Sequence, residues 1–491
     1  MAGLGRGVGL ALLGLVAAAT ADELPPQLSG VPIPDGQVAK AVAGIDGIVA
    51  EIIGRTDIPG IAVAVVSGDA VLLARGYGLL EAGKPAEVDA DTVFQLASVS
   101  KSVGATVVAH EVGAGRLSWD TPVRDRLAWF QLADPAVTAM LTVGDLYAHR
   151  SGLPDHAGDD LEDLGYDRRA VLERLRILPL APFRATYAYT NFGVTAGAEV
   201  AAAAAGVDWA TLSEEALYRP LGMTRTSSRF ADYMGRENRA VPHIRQGDGW
   251  AALEQRDPDA QSPAGGVSSS ANDMARWLRL VLAQGRFEGA QLVDSAALLA
   301  ATSPHSVSNP PYAPDARASF YGYGFGVGDT PAGRVMVSHS GAFQLGAGTV
   351  YQLLPSVGVG IVVLSNAQPV GAVEAIAFGF TDLVQFGRVT RDWYATIEPL
   401  FAPGLAPAGA LAGKAPPASP DPARNLAAYA GVYANDYFGP LEVTVAGGAL
   451  EARIGPKPAV FPLRHWSGDV FALAPSGENA PPGSLAEVRF A

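Results

Sequence analysis

The sequence predicts an α+β chain: an antiparallel sheet flanked by helices plus a helical lobe, followed by a small all-β C-terminal domain. Three observations predict it. β-rich runs stand at both ends of roughly the first 400 residues and enclose a helical middle, so the two ends can share one antiparallel sheet. A Pro/Ala/Gly-rich stretch over 401–424, nearly uncharged until its end, reads as a linker. Beyond it, GVYAND, LEVTVAGG, ALEARIG, VFPLRHW, DVFALAP and LAEVRF are short β runs at close spacing, as in a small sandwich or barrel.

Taken in order, the chain opens with an arginine ahead of an apolar run over 8–19 and then Ala19-Thr20-Ala21. That is a positive n-region, a short h-region and an A-x-A cleavage site, so 1–21 is expected to be a signal peptide and the protein periplasmic or secreted. The run is too short and too Ala-rich for a stable membrane span. Periodicity predicts a helix over 37–53. IAVAVV (61–66), Ser67-Gly68-Asp69 and VLLARGYG form a hairpin pattern. A helix-like segment around Ser98 follows. Residues 117–225 read as mostly helical, with loops at 151–154 and 179–183. The polar, poorly periodic 229–266 reads as a surface excursion over a site. A helix over 272–284 precedes four β runs, YGYGFGVG, VMVSHSGAFQ, GTVYQLLP and VGVGIVVLSN, and a helix over 373–386. The expected domains are 22–400 and 425–491, joined by the linker.

Composition narrows the function. The 491 residues are 49% hydrophobic and 17% charged, enough for a large core. A net charge of -14 with no basic block speaks against a nucleic-acid partner. The lack of cysteine excludes disulfides, thiolate zinc sites and thiol catalysis.

The chemistry-bearing stretch is FQLASVSKSVGAT, where Ser98 and Lys101 stand three apart and share one helix face. A serine hydroxyl is a weak nucleophile until a base takes its proton. A buried lysine gives up its charge readily. A helix start adds a positive end and free N–H groups for an oxyanion. Only five lysines occur, so an accidental S-x-x-K is expected in roughly a quarter of such chains. Two further patterns add to it. YAYTNFGV holds Tyr189 and Asn191, a phenol able to shuttle protons and an amide able to hold a substrate carbonyl. VSHSGAFQLG holds His339, Ser340, Gly341 and Ala342, where glycine lets a substrate lie along a strand edge and the Ala342 N–H can serve as a second oxyanion donor.

The order of these patterns, with FQLASVSK, LTVGDLYAHRSGLP, YAYTNFG, PAGGVSSSANDMARWL and HSGAFQLG, resembles the serine β-lactamase / penicillin-binding-protein superfamily in its class C β-lactamase-like branch, over about 37–387. LAAYAGVY and LRHW resemble the small β-barrel domain appended to some of these hydrolases. The resemblance implies an acylated Ser98, with Lys101 and Tyr189 as general bases, Asn191 on the substrate amide, and oxyanion donors in the N–H groups of Ser98 and Ala342. It implies neither cofactor nor metal, and a small-molecule or peptide substrate, with peptidoglycan-derived compounds and β-lactams among the options. One departure matters. Where classical members carry the lysine of Lys-Thr-Gly or Lys-Ser-Gly, this chain has His339, as in the D-aminopeptidases and esterases of the branch.

Competing patterns are weaker. Tyr433-Ala434-Asn435 repeats Y-x-N but follows the linker. Tyr187 lies two residues from Tyr189 and is the alternative phenol. His156-Ala157-Gly158 mimics the third motif within an acidic, solvated-looking loop. No G-x-S-x-G elbow occurs. The expected function is therefore a serine hydrolase acting on an amide or ester, of D-amino-acid peptidase, amidase or esterase type, with β-lactam hydrolysis third. The alternative is a penicillin-binding-like sensor or cell-wall binding protein.

Overall fold

The computed structural model describes residues 29–253, 255–457 and 459–491, so the expected leader lies outside the described residues. The region predicted as one helix is two, α1 (Gln37–Ala43) and α2 (Ile45–Thr56). They break at Gly44, where a Cβ would stand 2.9 Å from the Leu383 side chain.

The main sheet has eight strands: β1 (Gly60–Ser67), β2 (Ala70–Gly78), β3 (Ser306–Asn309), β4 (Ser319–Tyr321), β5 (Gly326–Asp329), β6 (Val335–Phe343), β7 (Ala347–Leu354) and β8 (Val359–Ser365). Their order is β2-β1-β8-β7-β6-β5-β4-β3, antiparallel throughout. The N-terminal hairpin thus joins the late strands through β1 and β8, from Ile61 opposite Ser365 to Ser67 opposite Val359. β1 reads as a continuous apolar run because both sheet faces are covered. Its odd residues Ile61, Val63 and Val65 pack with Val49, Ile376 and Phe380; its even residues Ala62, Ala64 and Val66 face the opposite core with Val103, Trp277 and Leu278.

The helical side includes α3 (Ser100–Gly113), α4 (Val143–Tyr147), α5 (Asp159–Asp163), α6 (Asn191–Ala205) and α7 (Ala271–Leu282); α8 (Ala372–Phe386) covers the other face. Every residue of α3 from 100 to 109 is buried, so this small, apolar helix runs through the middle of the protein. The 229–266 excursion is less superficial than expected. Residues 261–266 are buried against α3 and α6, and only its earlier part lies on the surface.

Helix α9 (Trp393–Leu405) runs through Pro399 and Pro403 into the stretch expected to be a linker. That stretch is also packed rather than free: Leu411 is buried, and its N–H bonds the Leu485 carbonyl at 3.0 Å. The six C-terminal β runs form β9 (Gly431–Tyr433), β10 (Leu441–Ala446), β11 (Ala449–Ile454), β12 (Val460–Ser467), β13 (Val470–Leu473) and β14 (Ala486–Arg489). They pair in sequence as a six-stranded half-barrel sheet around Tyr429, Val443, Leu450, Leu463 and Phe471.

One buried carboxylate ties the helical lobe together. Thr142 and Asp145 form a reciprocal capping box at the start of α4. Asp145, fully buried, also accepts from Arg150 Nε at 2.9 Å and from Arg184 Nη2 at 2.8 Å. Arg184 opens the loop that carries Tyr187 and Tyr189. Asp145→Ala would leave two partly exposed guanidiniums without their anion, and a loss of about 2 to 3 kcal/mol in unfolding free energy is expected. A urea titration checks this; an unmoved midpoint at constant m would contradict it.

Candidate active site

Ser98 sits in a 3-10 turn (Ala97–Val99) at the entrance of α3, one turn before Lys101, and is partly exposed. The turn is sharp. Ala97, immediately before the serine, has φ +47, a left-handed backbone that costs a non-glycine residue on the order of 1 kcal/mol. The Lys101 side chain points back along the helix and is fully buried.

The Lys101 amine has three partners. It lies 3.0 Å from Ser98 Oγ, 2.6 Å from Asn191 Oδ1 and 3.0 Å from the Ala264 carbonyl. Burial pushes it down to about 7; nearby Asp159 opposes that shift and Arg256 adds to it. Asn191, the first residue of α6, is oriented by Asp159, whose Oδ2 accepts from Asn191 Nδ2 at 2.8 Å. The amide therefore aims its oxygen at the lysine and keeps one Nδ2 hydrogen for another group.

Tyr189 closes the site from above. The Lys101 amine stands 4.5 Å from the centre of its ring. Burial pushes the phenol up, and the nearby Ser98 side chain opposes that shift. Its main chain is clamped on three sides. The Ala188 N–H bonds the His149 carbonyl, the Thr190 N–H bonds His149 Nδ1 at 3.1 Å, and the Tyr189 carbonyl accepts from the His156 N–H at 2.7 Å. His149 adopts φ +55 and burial holds its ring neutral. Tyr187 stands farther back, against His149 and Tyr321.

The His339–Ala342 stretch lies on β6, the fifth strand of eight rather than an outer one. It is an edge only locally, because β5 pairs with β6 no further than Gly326 opposite Ser338. Alternation turns His339 and Gly341 toward Ser98 and Ser340 away from it. The Ser340 side chain lies on the opposite face, toward Glu374 of α8. A Cβ at Gly341 would stand 2.3 Å from the Leu96 carbonyl and 3.0 Å from the Ser98 nitrogen, so only glycine permits this approach. His339 is tied at both nitrogens: Nδ1 lies 2.6 Å from the Ser340 carbonyl, and Nε2 lies 2.7 Å from Tyr321 Oη. Since a carbonyl only accepts, Nδ1 carries the proton and Nε2 takes the phenol's. Burial and Lys101 push His339 down to about 3, so the ring is neutral. A cleft of about 380 Å³ opens beside Tyr189 and His339, bordered by Tyr187, Phe320, Tyr321 and Ser338.

Sequence reasoning missed several contributors. Tyr321, Asp159, His149 and Arg256 act across long stretches of chain with no local spacing to reveal them. His156, read as solvated, bonds Asp159 at 2.8 Å and supports Tyr189. The second Y-x-N lies in the C-terminal module, where Tyr433 bonds the Tyr429 carbonyl and Asn435 caps the 437–438 turn.

This arrangement lies within the reach of a known family. The family model described as Beta-lactamase matches residues 45–385, and one described as a domain of unknown function (DUF3471) matches 415–489. Unguisins hydrolase ungD of Aspergillus violaceofuscus is 27% identical over 465 residues, 84% of this chain and 79% of that protein. Esterase EstB of Burkholderia gladioli is 26% identical over 387 residues, 70% of this chain and 95% of that protein. The class C beta lactamase of Rhodobacter sphaeroides superposes with a TM-score of 0.57 at 25% identity, over 70% of this chain and 98% of that one. A match across well over half of the sequence, enclosing the Ser98–Lys101–Tyr189 cluster and the sheet that backs it, places this chain in the Beta-lactamase family.

Proposed function

We propose that this protein is a serine hydrolase that acts by acyl transfer from Ser98 on amides or esters lacking a free carboxylate beside the scissile bond. The observation that carries the reading is the partner set of Lys101. Asn191 Oδ1 and the Ala264 carbonyl can only accept hydrogen bonds. A neutral lysine has two N–H groups for them and one lone pair, and the remaining partner, Ser98, is the one that can donate. The amine is therefore aimed as a base at the serine proton.

Ser98 Oγ attacks the carbonyl carbon while Lys101 takes its proton. The N–H groups of Ser98 and Ala342 hold the oxyanion. Tyr189, kept as a neutral phenol by burial, hands a proton to the leaving group and recovers it from Lys101. Water then cleaves the acyl-enzyme by the reverse proton path. Asn191 positions Lys101 and offers its remaining hydrogen to the substrate.

Substrate choice follows from charge. His339 presents no cation, and Lys101, Arg256 and His156 are each engaged by protein groups. This favours esters and amino-acid amides or peptides over β-lactams and other substrates that rely on a carboxylate contact. Of the proteins named above, Esterase EstB supports it, whereas the class C beta lactamase does not. Export forms part of the reading and rests on residues 1–21. No helix among the described residues is long and apolar enough to cross a membrane.

Three outcomes are expected. Purified protein should turn over p-nitrophenyl esters or D-amino-acid p-nitroanilides at least ~10-fold faster than nitrocefin, with a fluorophosphonate adduct seen by intact mass and lost in Ser98→Ala; an adduct that survives the substitution would remove Ser98 as nucleophile. On the pH axis, Lys101 is protonated and inactive below its pKa, so kcat/KM should climb about tenfold per unit below pH 7 and level off above it. A profile flat from pH 5 to 8 would argue against a lysine base. N-terminal sequencing of protein recovered outside the cytoplasm should begin after Ala21; recovery of the uncleaved chain alone would refute export by cleavage.

A further inference from the structure

The loop between β13 and β14 leaves the C-terminal sheet and inserts a carboxylate, Glu478, into the larger domain, where it is buried. Its Oε1 accepts from the Gln344 N–H at 2.7 Å and its Oε2 from the Leu345 N–H at 3.2 Å. Those two residues directly follow Phe343, the last residue of β6. Glu478 also pairs with Arg256 at 3.0 Å. The other side of Arg256 pairs with Glu162 of α5 at 2.6 Å, and its guanidinium covers the Phe343 ring at 4.3 Å. The same loop grips α5: the N–H groups of Glu478 and Asn479 donate to Asp163 at 3.1 and 2.9 Å. Four residues earlier, α5 carries Asp159, which orients Asn191 and through it Lys101.

The C-terminal module thus reaches both sides of the nucleophile, the strand bearing Ala342 and the helix bearing Asp159. A buried cluster of two carboxylates and one guanidinium is a poor source of stability, because desolvating three charges offsets most of their attraction. Burial accordingly pushes Glu478 up to about 7 despite Arg256. What such a cluster does supply is a fixed geometry, here at the point where β6 ends.

Resting on the serine-hydrolase reading above, we propose that the C-terminal β module is a working part of the active site, and that Glu478 is the positioning residue through which it holds the end of β6, and with it the Ala342 oxyanion donor, against Ser98. Glu478 touches neither nucleophile nor base. Its effect falls on transition-state stabilisation and therefore on kcat more than KM.

The test uses the full-length protein and a p-nitrophenyl ester. Glu478→Ala removes the two N–H acceptors and the Arg256 partner, and kcat is expected to fall ~10- to 100-fold with KM within about threefold, the size of loss that a displaced oxyanion donor produces. Glu478→Gln keeps an acceptor but loses the ion pair, and should fall between that variant and wild type. Glu478→Asp should recover part of the loss. Circular dichroism and a urea titration accompany each variant. Wild-type kcat in folded Glu478→Ala and Glu478→Gln would overturn the proposal. So would failure of both to fold, since Glu478 would then be a structural residue only. Wild-type protein that neither hydrolyses the ester nor takes a fluorophosphonate would instead overturn the serine-hydrolase reading, and that control separates the two failures.

Discussion

The structure is organised around one amine kept out of water. A lysine at the bottom of a protein either finds counter-charge or sheds its proton. Lys101 stands near the balance point: burial and Arg256 favour the neutral form, while Asp159, one residue removed behind Asn191, favours the charged one. Geometry then settles what the neutral form can do. Its partners are held by elements with no freedom to retreat: Ala264 by the short helix Ser262–Gly265, Asn191 by the start of α6, and Ser98 by a turn braced on a left-handed alanine. The enclosure of α3 on every side follows from the same need, because a helix with a solvent face would hydrate the amine and restore its charge.

Bringing a strand to that helix imposes a second constraint. The proposed oxyanion pocket lies where the Ser98 turn meets β6, and the contact is so close that Gly341 has no room for a methyl group. Thr349 of β7 secures it by donating to the Leu96 carbonyl at 2.6 Å, two residues before the nucleophile. A substrate can still reach β6 because β5 stops pairing at Ser338. An interior strand thereby gains a short free edge where the proposed chemistry needs one.

What was legible in the sequence is what is encoded locally. Ser98 and Lys101 lie one helical turn apart, Tyr189 and Asn191 two residues apart, and His339 to Ala342 on one strand, so spacing grouped each set locally; that the three sets meet was implied by the family resemblance. The β runs at both ends of the larger region pointed to one shared antiparallel sheet, and the family resemblance implied helices on both of its faces. Features set by distant neighbours were not legible. A helix predicted over 37–53 breaks at Gly44, where a side chain would meet Leu383. The proline-rich stretch read as a tether is partly helical and partly pinned by Leu411 to the C-terminal sheet. Ser340 looked equivalent to its neighbours in the motif, yet strand alternation turns its side chain to the far face of the sheet. Tyr321, Asp159, Arg256 and Glu478 reach the site from separate parts of the chain, and their residue types are too common to mark them out.

The charges around the cleft explain why those distant residues matter. In the proposed reaction a tetrahedral intermediate places a negative charge beside Ser98, and His339 supplies no cation to meet it. Stabilisation then depends on fixed N–H dipoles, whose strength falls steeply with misalignment. A carboxylate near such a pocket would oppose the oxyanion if it were free. Glu478 is not free: Arg256 neutralises it, and the N–H groups of Gln344 and Leu345 spend its oxygens on the end of β6. The module therefore brings an acid close to the site in the one form that helps there, with its charge met by Arg256 and its geometry transmitted to the strand that carries Ala342.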